Sequence, residues 1–225
     1  MVATTRSVFD KQLDGLRDNT LQIAEMVATQ IEQATRAFQK HDMAIAQRVA
    51  EFDATINRLR YNVEEQSYTL LALQQPNARD MRRIVTTVSV VTNLERMGDH
   101  AAGIARLALR LGDHPKPIFV QEFTEMAEMA VENLKDAMSA LNYEDAVLAR
   151  RVVSRDDQVD QLHEAVYKRL IETMTNNPST VECATMMLWV SHNLERYSDR
   201  ISNICERVIY FVTGDLYEPR PDTMP

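Results

Sequence analysis

Residues that interrupt helices are scarce in this chain of 225 residues, which has five glycines and seven prolines. Alanine, leucine, methionine, glutamate, glutamine and arginine, which favour helices, are common. The stretches 16–75 and 118–177 lack both glycine and proline and are too long for the strands of β-hairpins. Alternating runs of β-branched residues are missing, apart from 84–91, which has helical periodicity. The sequence therefore predicts an all-α fold.

Positive charge, cysteine and long apolar runs are also limited. The net charge is −8, which argues against nucleic acid as a partner, because nucleic-acid binding needs a basic face. We expect no membrane span and no signal peptide, since no apolar run approaches the required length. Cys183 and Cys205 fall about six turns apart on one predicted helix, too far to form a disulfide. Free cysteines favour a reducing cytoplasm.

The sequence contains an internal duplication. Residues 23–53 align with 126–156 at an offset of 103, without loss of register. The tetrapeptide Asn-Leu-Glu-Arg occurs at 93–96 and again at 193–196, and an aspartate follows three residues after each arginine. Self-similarity of this kind indicates repeated structural units.

Each half is predicted to form three helices, and the halves to form two pseudo-symmetric three-helix bundles. Polar corners and proline-containing loops separate the helices. We expect the first repeat in 1–112, the second in 117–214, and a poorly ordered tail at 215–225, which is polar and rich in proline. The six predicted helices are 7–39, 42–73, 78–111, 117–141, 143–174 and 180–212.

The repeated motif places carboxylates one helical turn apart. Glu95 with Asp99, and Glu195 with Asp199, are separated by four residues, so each pair lies on one face of its helix. Both glutamates lie beside an apolar stripe, and therefore at the edge of the core. Small residues nearby leave room for a ligand, whereas a solvated face usually carries long charged side chains.

The preceding helix of each half carries a matching pair. In the second half the pair is Asp156 and Asp160, whereas the first half has Asp53 and Asn57. Antiparallel neighbouring helices bring such pairs face to face, and carboxylate oxygens bind hard or borderline metal ions. A metal-free reading also stands, because acidic pairs at this spacing are abundant on ordinary helix surfaces and their arginine neighbours can neutralise them.

Other constellations are weaker. His100, His163 and His192 are isolated in the sequence and typical of helix surfaces or boundaries. A ferritin-like di-iron centre is disfavoured, because no Glu-x-x-His occurs in both halves. Phosphate-binding glycine loops, nucleophile elbows and Cys/His clusters are absent from the sequence. Nothing in it therefore indicates a catalytic site.

The chain resembles the PhoU family of phosphate-signalling regulators over essentially its whole length. The resemblance rests on Asn-Leu-Glu-Arg-Met-Gly-Asp-His at 93–100 and Asn-Leu-Glu-Arg-Tyr-Ser-Asp-Arg at 193–200. It also rests on Gln-Pro-Asn-Ala-Arg-Asp-Met-Arg-Arg at 75–83. The resemblance implies two symmetric three-helix bundles and metal sites, with iron as the expected metal and zinc, manganese or magnesium as alternatives. The implied ligands are Asp53, Glu95, Asp99, Asp156, Asp160, Glu195 and Asp199.

The resemblance also implies a cytoplasmic negative regulator of phosphate uptake and of the phosphate regulon. Its implied partners are the ATPase of the phosphate ABC transporter and a sensor histidine kinase, and it implies a homodimer. Asn57 departs from the acidic pattern, and 176–180 lacks the Gln-Pro-x-Ala pattern of the first half.

A non-enzymatic adaptor is therefore the leading hypothesis. A hydrolase or redox enzyme with paired metals and a metal-free helical scaffold are the alternatives.

Overall fold

The chain is a bundle of long helices in a computed structural model that describes residues 2–112 and 120–215, with side chains for 6–112 and 121–215. A short 3-10 helix, Pro178–Thr180, precedes the last helix. Because no strand occurs in the described part of the chain, the all-α prediction is confirmed. The helices are α1 Val2–Lys40, α2 Met43–Leu73, α3 Ala78–Leu111, α4 Val120–Tyr143, α5 Ala146–Val153, α6 Asp156–Asn176 and α7 Val181–Thr213.

One predicted helix differs from the structure. The helix expected at 143–174 is divided into α5 and α6 by a turn at Ser154 and Arg155. The amide of Arg155 bonds to the carbonyl of Val152, a tighter connection than the helical one. The Arg155 Nη1 atom donates to Asp136 Oδ2 of α4 at 2.7 Å, which fixes the turn against the neighbouring helix. The matching helix α2 of the first half is continuous.

The corners that begin the second helix of each half are built in the same way. His41 and Glu144 have φ angles of 54° and 55°, in the left-handed region. Each precedes an aspartate cap: Asp42 accepts from the amide of Ile45, and Asp145 accepts from two amides of the first turn of α5. These corners lie 103 residues apart, the offset of the internal repeat, so the duplication extends to backbone geometry.

The two halves meet along α3 and α7. These helices run antiparallel, with Arg82 near the carbonyl of Phe211, and with His100 Nδ1 3.1 Å from Asn193 Oδ1. Helices α1 and α2 pack on α3, helices α4, α5 and α6 pack on α7, and α1 also packs on α4. The predicted apolar stripes of α3 and α7 are buried in one continuous core. Those stripes comprise Val90, Leu94, Met97, Ala101, Ile104, Ala108, Val190, Leu194, Tyr197, Ile201, Ile204 and Val208.

The repeat boundaries at 112 and 117 stay predictions. Residues 113–119, which contain the predicted boundary between the repeats, and 216–225, which form most of the tail predicted at 215–225, lie outside the described residues. No helix in the described ranges combines the length and the apolar character that a membrane span requires.

Candidate metal centre

Helices α3 and α7 present their acidic motifs in the same register. Residues 91–100 and 191–200 show the same order of buried, half-buried and exposed positions. Leu94 and Leu194 point into the core, and the side chains of Glu95 and Glu195 are only 13% and 15% exposed. Both glutamates therefore lie at the edge of the core, as the sequence predicts.

The second half brings three aspartates together. Asp156 and Asp160 lie on α6, Asp199 lies on α7, and one oxygen of each lies within 4.8 Å of the others. Two hydroxyls of α7 hold Asp156 in place: Ser198 Oγ donates to its Oδ1 at 3.0 Å, and Ser202 Oγ donates to its Oδ2 at 2.8 Å. Both hydrogen bonds join α7 to α6 and orient the carboxylate.

Glu195 lies next to this group and responds to the charges of its members. Its Oε2 atom is buried and makes no hydrogen bond. Arg196 contributes the nearest positive charge, with Nε 3.2 Å from that atom and Nη1 3.0 Å from Asp199 Oδ2. Arg196 and Arg200 both act on Asp199, so the four carboxylates outnumber the guanidiniums beside them.

The electrostatics of the second half reflect that imbalance. Burial, followed by the charge of Asp199, raises the pKa of Glu195 to about 7. Burial, followed by the charges of Asp156 and Asp199, raises the pKa of Asp160 to about 6. Burial, with Asp156 as the next cause, also raises the pKa of Asp199. Carboxylates that repel one another in this way favour either a proton or a cation.

One histidine lies close to Glu195, and a second histidine lies beside the first. His192 Nδ1 is 3.7 Å from Glu195 Oε2, and the His163 and His192 rings are 6.3 Å apart. Burial lowers the pKa of both imidazoles. The sequence predicts that these histidines are isolated, whereas the structure places their rings side by side. Neither histidine is repeated in the first half, which has Arg60 in place of His163 and Thr92 in place of His192.

The first half groups Asp53 of α2 with Glu95 and Asp99 of α3. Burial and then the Asp99 charge raise the pKa of Asp53 and of Glu95, so the three carboxylates lie near one another. Arg106 Nη2 is 3.8 Å from Asp53 Oδ2, while Asp53 Oδ1 is buried without a hydrogen bond. In place of Ser198 and Ser202 the first half has Gly98 and Ala102.

An additional arginine lies inside the first half. Arg60 Nη1 donates to Glu64 Oε1 at 2.7 Å, and Arg60 Nε is 3.8 Å from Glu95 Oε1. Arg60 aligns with His163 at the repeat offset of 103, and Asn57 aligns with Asp160. Compared with the second half, the first half therefore has the amide of Asn57 in place of a candidate carboxylate ligand, and the guanidinium of Arg60 in place of an imidazole ring.

The two sites differ in how well they fit a metal ion. The second half offers three converging carboxylates with Glu195 adjacent, a donor set suited to a divalent cation. Within the described residues, no comparable group of three acidic, histidine or cysteine ligands converges in the first half. The role of all seven carboxylates as ligands stays a prediction.

The small residues beside the first motif serve packing. A Cβ atom on Gly98 would lie 3.0 Å from Ile56 Cδ1, and one on Gly103 would lie 3.0 Å from Asn193 Oδ1. Both glycines allow a close approach of neighbouring side chains. They do not leave an open space for a ligand, which the sequence interpretation had allowed.

A family model, curated proteins and solved structures that resemble this chain all belong to one family. The PhoU domain family matches residues 20–108 and 123–208, one match in each half. The phosphate-specific transport system accessory protein PhoU homolog of Clostridium acetobutylicum is 35% identical, over 93% of this chain and 96% of that protein. The crystal structure of PhoU from Pseudomonas aeruginosa superposes with a TM-score of 0.88 at 31% identity, covering 92% of this chain and 100% of that one. The phosphate transport system regulatory protein PhoU of Streptococcus pneumoniae gives a TM-score of 0.87 at 31% identity, with 94% and 100% coverage.

Proposed function

The chain belongs to the PhoU family, and on that premise we propose that it is a regulatory accessory protein of a phosphate-specific transport system. The observation that carries the proposal is the family match in both halves, together with relatives that are named as accessory or regulatory proteins of that system. The chain spans nearly the full length of these relatives, so the proposal concerns the whole protein.

The family is one of non-catalytic accessory proteins, and the chain is accordingly not an enzyme. Its contribution to phosphate transport lies in binding other molecules. A helical bundle supports this role through its surfaces, and a specific function depends on the sites carried by the fold.

We propose that the chain acts in the cytoplasm as a negative regulator, linking the ATPase of a phosphate ABC transporter to a sensor histidine kinase. The transport-system role of its relatives supports the first partner. The kinase extends this role to gene regulation, because a regulator that reports phosphate sufficiency needs a signalling partner. Self-association as a homodimer is part of the proposal, and sedimentation at micromolar concentration tests it: a monomeric mass would contradict it.

We further propose that Asp156, Asp160 and Asp199, with Glu195 adjacent, bind a metal ion. The convergence of their oxygens supports this, and iron is the expected metal, with zinc, manganese or magnesium as alternatives. A bound cation would supply the positive charge that these carboxylates lack and would connect α6 to α7. Ser198 and Ser202 would keep Asp156 oriented toward it.

A deletion strain tests the regulatory role. Without the chain, alkaline phosphatase and other phosphate-scavenging activities should rise in medium with high phosphate, because the repressive signal is missing. Re-expression of the native chain should restore repression. Repression that persists unchanged in the deletion strain would contradict the proposed function.

Two point variants then test whether the proposed metal site is needed for repression. Asp160→Asn should alter repression if metal occupancy matters. Glu132→Gln is the matched control, since Glu132 lies on the exposed face of α4, which does not carry the cluster.

A further inference from the structure

We infer that metal binding in this chain is confined to the second half, because the first half holds its own cation, the Arg60 guanidinium, against the equivalent glutamate. This inference rests on the proposed metal binding and specifies where in the chain the ion is held. The internal repeat supplies the comparison, since every residue of one cluster has a counterpart in the other.

Arg60 lies largely buried against Glu95, at the glutamate side of the first cluster. Its side chain is 15% exposed, and it lies between Glu64 and Glu95, whose side chains are 14% and 13% exposed. The Arg60 Nε atom is buried and makes no hydrogen bond, so its charge acts on Glu95 through the 3.8 Å ion pair. A divalent cation bound to Glu95 would have to share this space with a fixed positive charge that cannot be deprotonated.

Besides Arg60 and Arg96, Arg106 adds a third positive charge beside the carboxylates of the first half. Its Nη2 atom is 3.8 Å from Oδ2 of Asp53, one of the carboxylates that would have to bind a metal ion in this half. The counterpart of Arg106 in the second half is Glu206, so the charge at this position is reversed. Asn57, which replaces the fourth carboxylate, weakens the first donor set further.

The buried oxygen of Asp53 has a local explanation. Asp53 Oδ1 makes no hydrogen bond and lies 3.9 Å from the position of a Cβ atom on Gly98. The corresponding oxygen of Asp156 accepts from Ser198. The first half thus lacks a hydroxyl at this point, and the unsatisfied oxygen does not indicate a missing metal.

The second half carries a histidine where the first half carries Arg60. His163 Nδ1 is 2.8 Å from Ser191 Oγ, which directs the ring toward α7. A neutral imidazole neither competes with a cation nor repels it. Arg200 contributes positive charge near Asp199, but its Nε atom makes no hydrogen bond. The carboxylates of the second half outnumber the guanidiniums beside them and are therefore the ones that remain available to a divalent ion.

Matched variants of the full-length chain test the inference with Mn²⁺ as the probe. Binding is measured by electron paramagnetic resonance titration and by elemental analysis after desalting. Asp156→Asn with Asp199→Asn should weaken Mn²⁺ binding by more than about 100-fold, because two ligands are lost. Asp53→Asn with Asp99→Asn, at the equivalent positions, should leave both the affinity and the metal content unchanged. Circular dichroism establishes that each variant is helical.

Exchanging the distinguishing residues provides a reciprocal test. His163→Arg should lower Mn²⁺ affinity by about 10–100-fold, whereas His163→Gln, which adds no charge, should retain it. Asn57→Asp combined with Arg60→His should create a second class of bound Mn²⁺. The matched control, Asn57→Asp with Arg58→His, keeps Arg60 and should bind Mn²⁺ as the native chain does.

Two outcomes would overturn the inference. Loss of Mn²⁺ from the Asp53 and Asp99 variant would place metal in the first half, while leaving the proposed metal binding intact. Absence of bound Mn²⁺, iron and zinc from the native chain would contradict metal binding itself. The deletion phenotype would still stand as an independent test of the regulatory role.

Discussion

The two halves of the molecule share a backbone plan and differ in the charges placed upon it. Helices α3 and α7 repeat the same order of burial around their acidic motifs, and the corners at His41 and Glu144 repeat the same left-handed geometry. Around this common frame, Arg60 is matched by His163, and Arg106 by Glu206. The packing of a duplicated fold is thus preserved while the electrostatics of its two sites differ.

This difference shows which property of each residue has been retained. The core positions of α3 and α7 keep their apolar character, although side-chain size differs at Met97 and Tyr197, at Ala101 and Ile201, and at Ala108 and Val208. The cluster residues lie at the edge of the core, where side chains can differ without loss of packing. A repeat can therefore convert one copy of a site into internal ion pairs and keep the other open to a ligand.

The largest effect is expected from the shared core. Leu94→Ala and Leu194→Ala should each lower the free energy of unfolding by about 3 kcal/mol, since both side chains are fully buried. Because both leucines lie at the same position in the same burial pattern, the two losses should agree within about 1 kcal/mol. Urea denaturation followed by circular dichroism measures both. A loss confined to one half would show that the halves are not equivalently packed.

A smaller effect, expected in the first half alone, comes from Arg60. Arg60→Met should lower the free energy of unfolding by about 2 kcal/mol, because it leaves Glu64 and Glu95 without their shared partner in a largely buried site. His163→Met at the equivalent position should cost less than about 1 kcal/mol. The same denaturation experiment compares them, and equal costs would argue against a stabilising role for the Arg60 ion pairs.

As the pH rises, the contribution of Glu195 to the free energy of unfolding should fall by about 1–2 kcal/mol more than that of Glu95. In the metal-free chain the pKa of Glu195 is raised to about 7 by burial and then by Asp199. The folded state therefore keeps a proton that the unfolded state releases above its ordinary pKa, so this contribution is present at low pH. It is lost as the pH rises from about 4.5 to about 7.

Glu195→Gln should therefore flatten the fall in Tm between pH 5 and pH 8, measured in EDTA. Glu95→Gln should have a weaker effect, because Arg60 opposes the rise in the pKa of Glu95. An equal flattening by both variants would remove this distinction between the halves.

The smallest effect is expected from restoring a hydroxyl to the first half. Gly98→Ser should stabilise the chain by up to about 1 kcal/mol, since its hydroxyl can donate to the buried Asp53 Oδ1 and glycine disfavours helix. The Ile56 Cδ1 atom must shift to admit the new Cβ. Ser198→Gly in the second half should have the opposite sign. Thermal unfolding of the two variants provides the measurement, and destabilisation by Gly98→Ser would show that Ile56 cannot move.

The general fold could be predicted from the sequence because its determinants are local. Scarcity of glycine and proline, helical periodicity and the repeat offset predict the helices, the corners and the buried stripes of α3 and α7. The break at Ser154 and Arg155 could not be predicted, because no proline or glycine marks it and the Asp136 contact that fixes it lies on another helix.

The candidate site shows the same limit. The spacing of Glu195 and Asp199 predicts a shared helix face, and the structure brings Asp156 and Asp160 to it. The importance of Arg60 and His163 was missed, since each is an ordinary residue on its own helix. Aligning the halves at the offset of 103 shows that Arg60 and His163 are equivalent positions. Only the structure shows which residues they contact, Glu95 of α3 for Arg60 and Ser191 of α7 for His163.

The turn between α5 and α6 gives the two halves different mechanical properties. Helix α2 is a continuous rod from Met43 to Leu73, so a displacement of Asp53 is carried along its whole length. Helix α6 begins at Asp156 itself, and the turn at Ser154 and Arg155 separates it from α5. A displacement of Asp156 is therefore not carried into α5 along an unbroken helix, and the Arg155 contact with Asp136 directs it toward α4 instead.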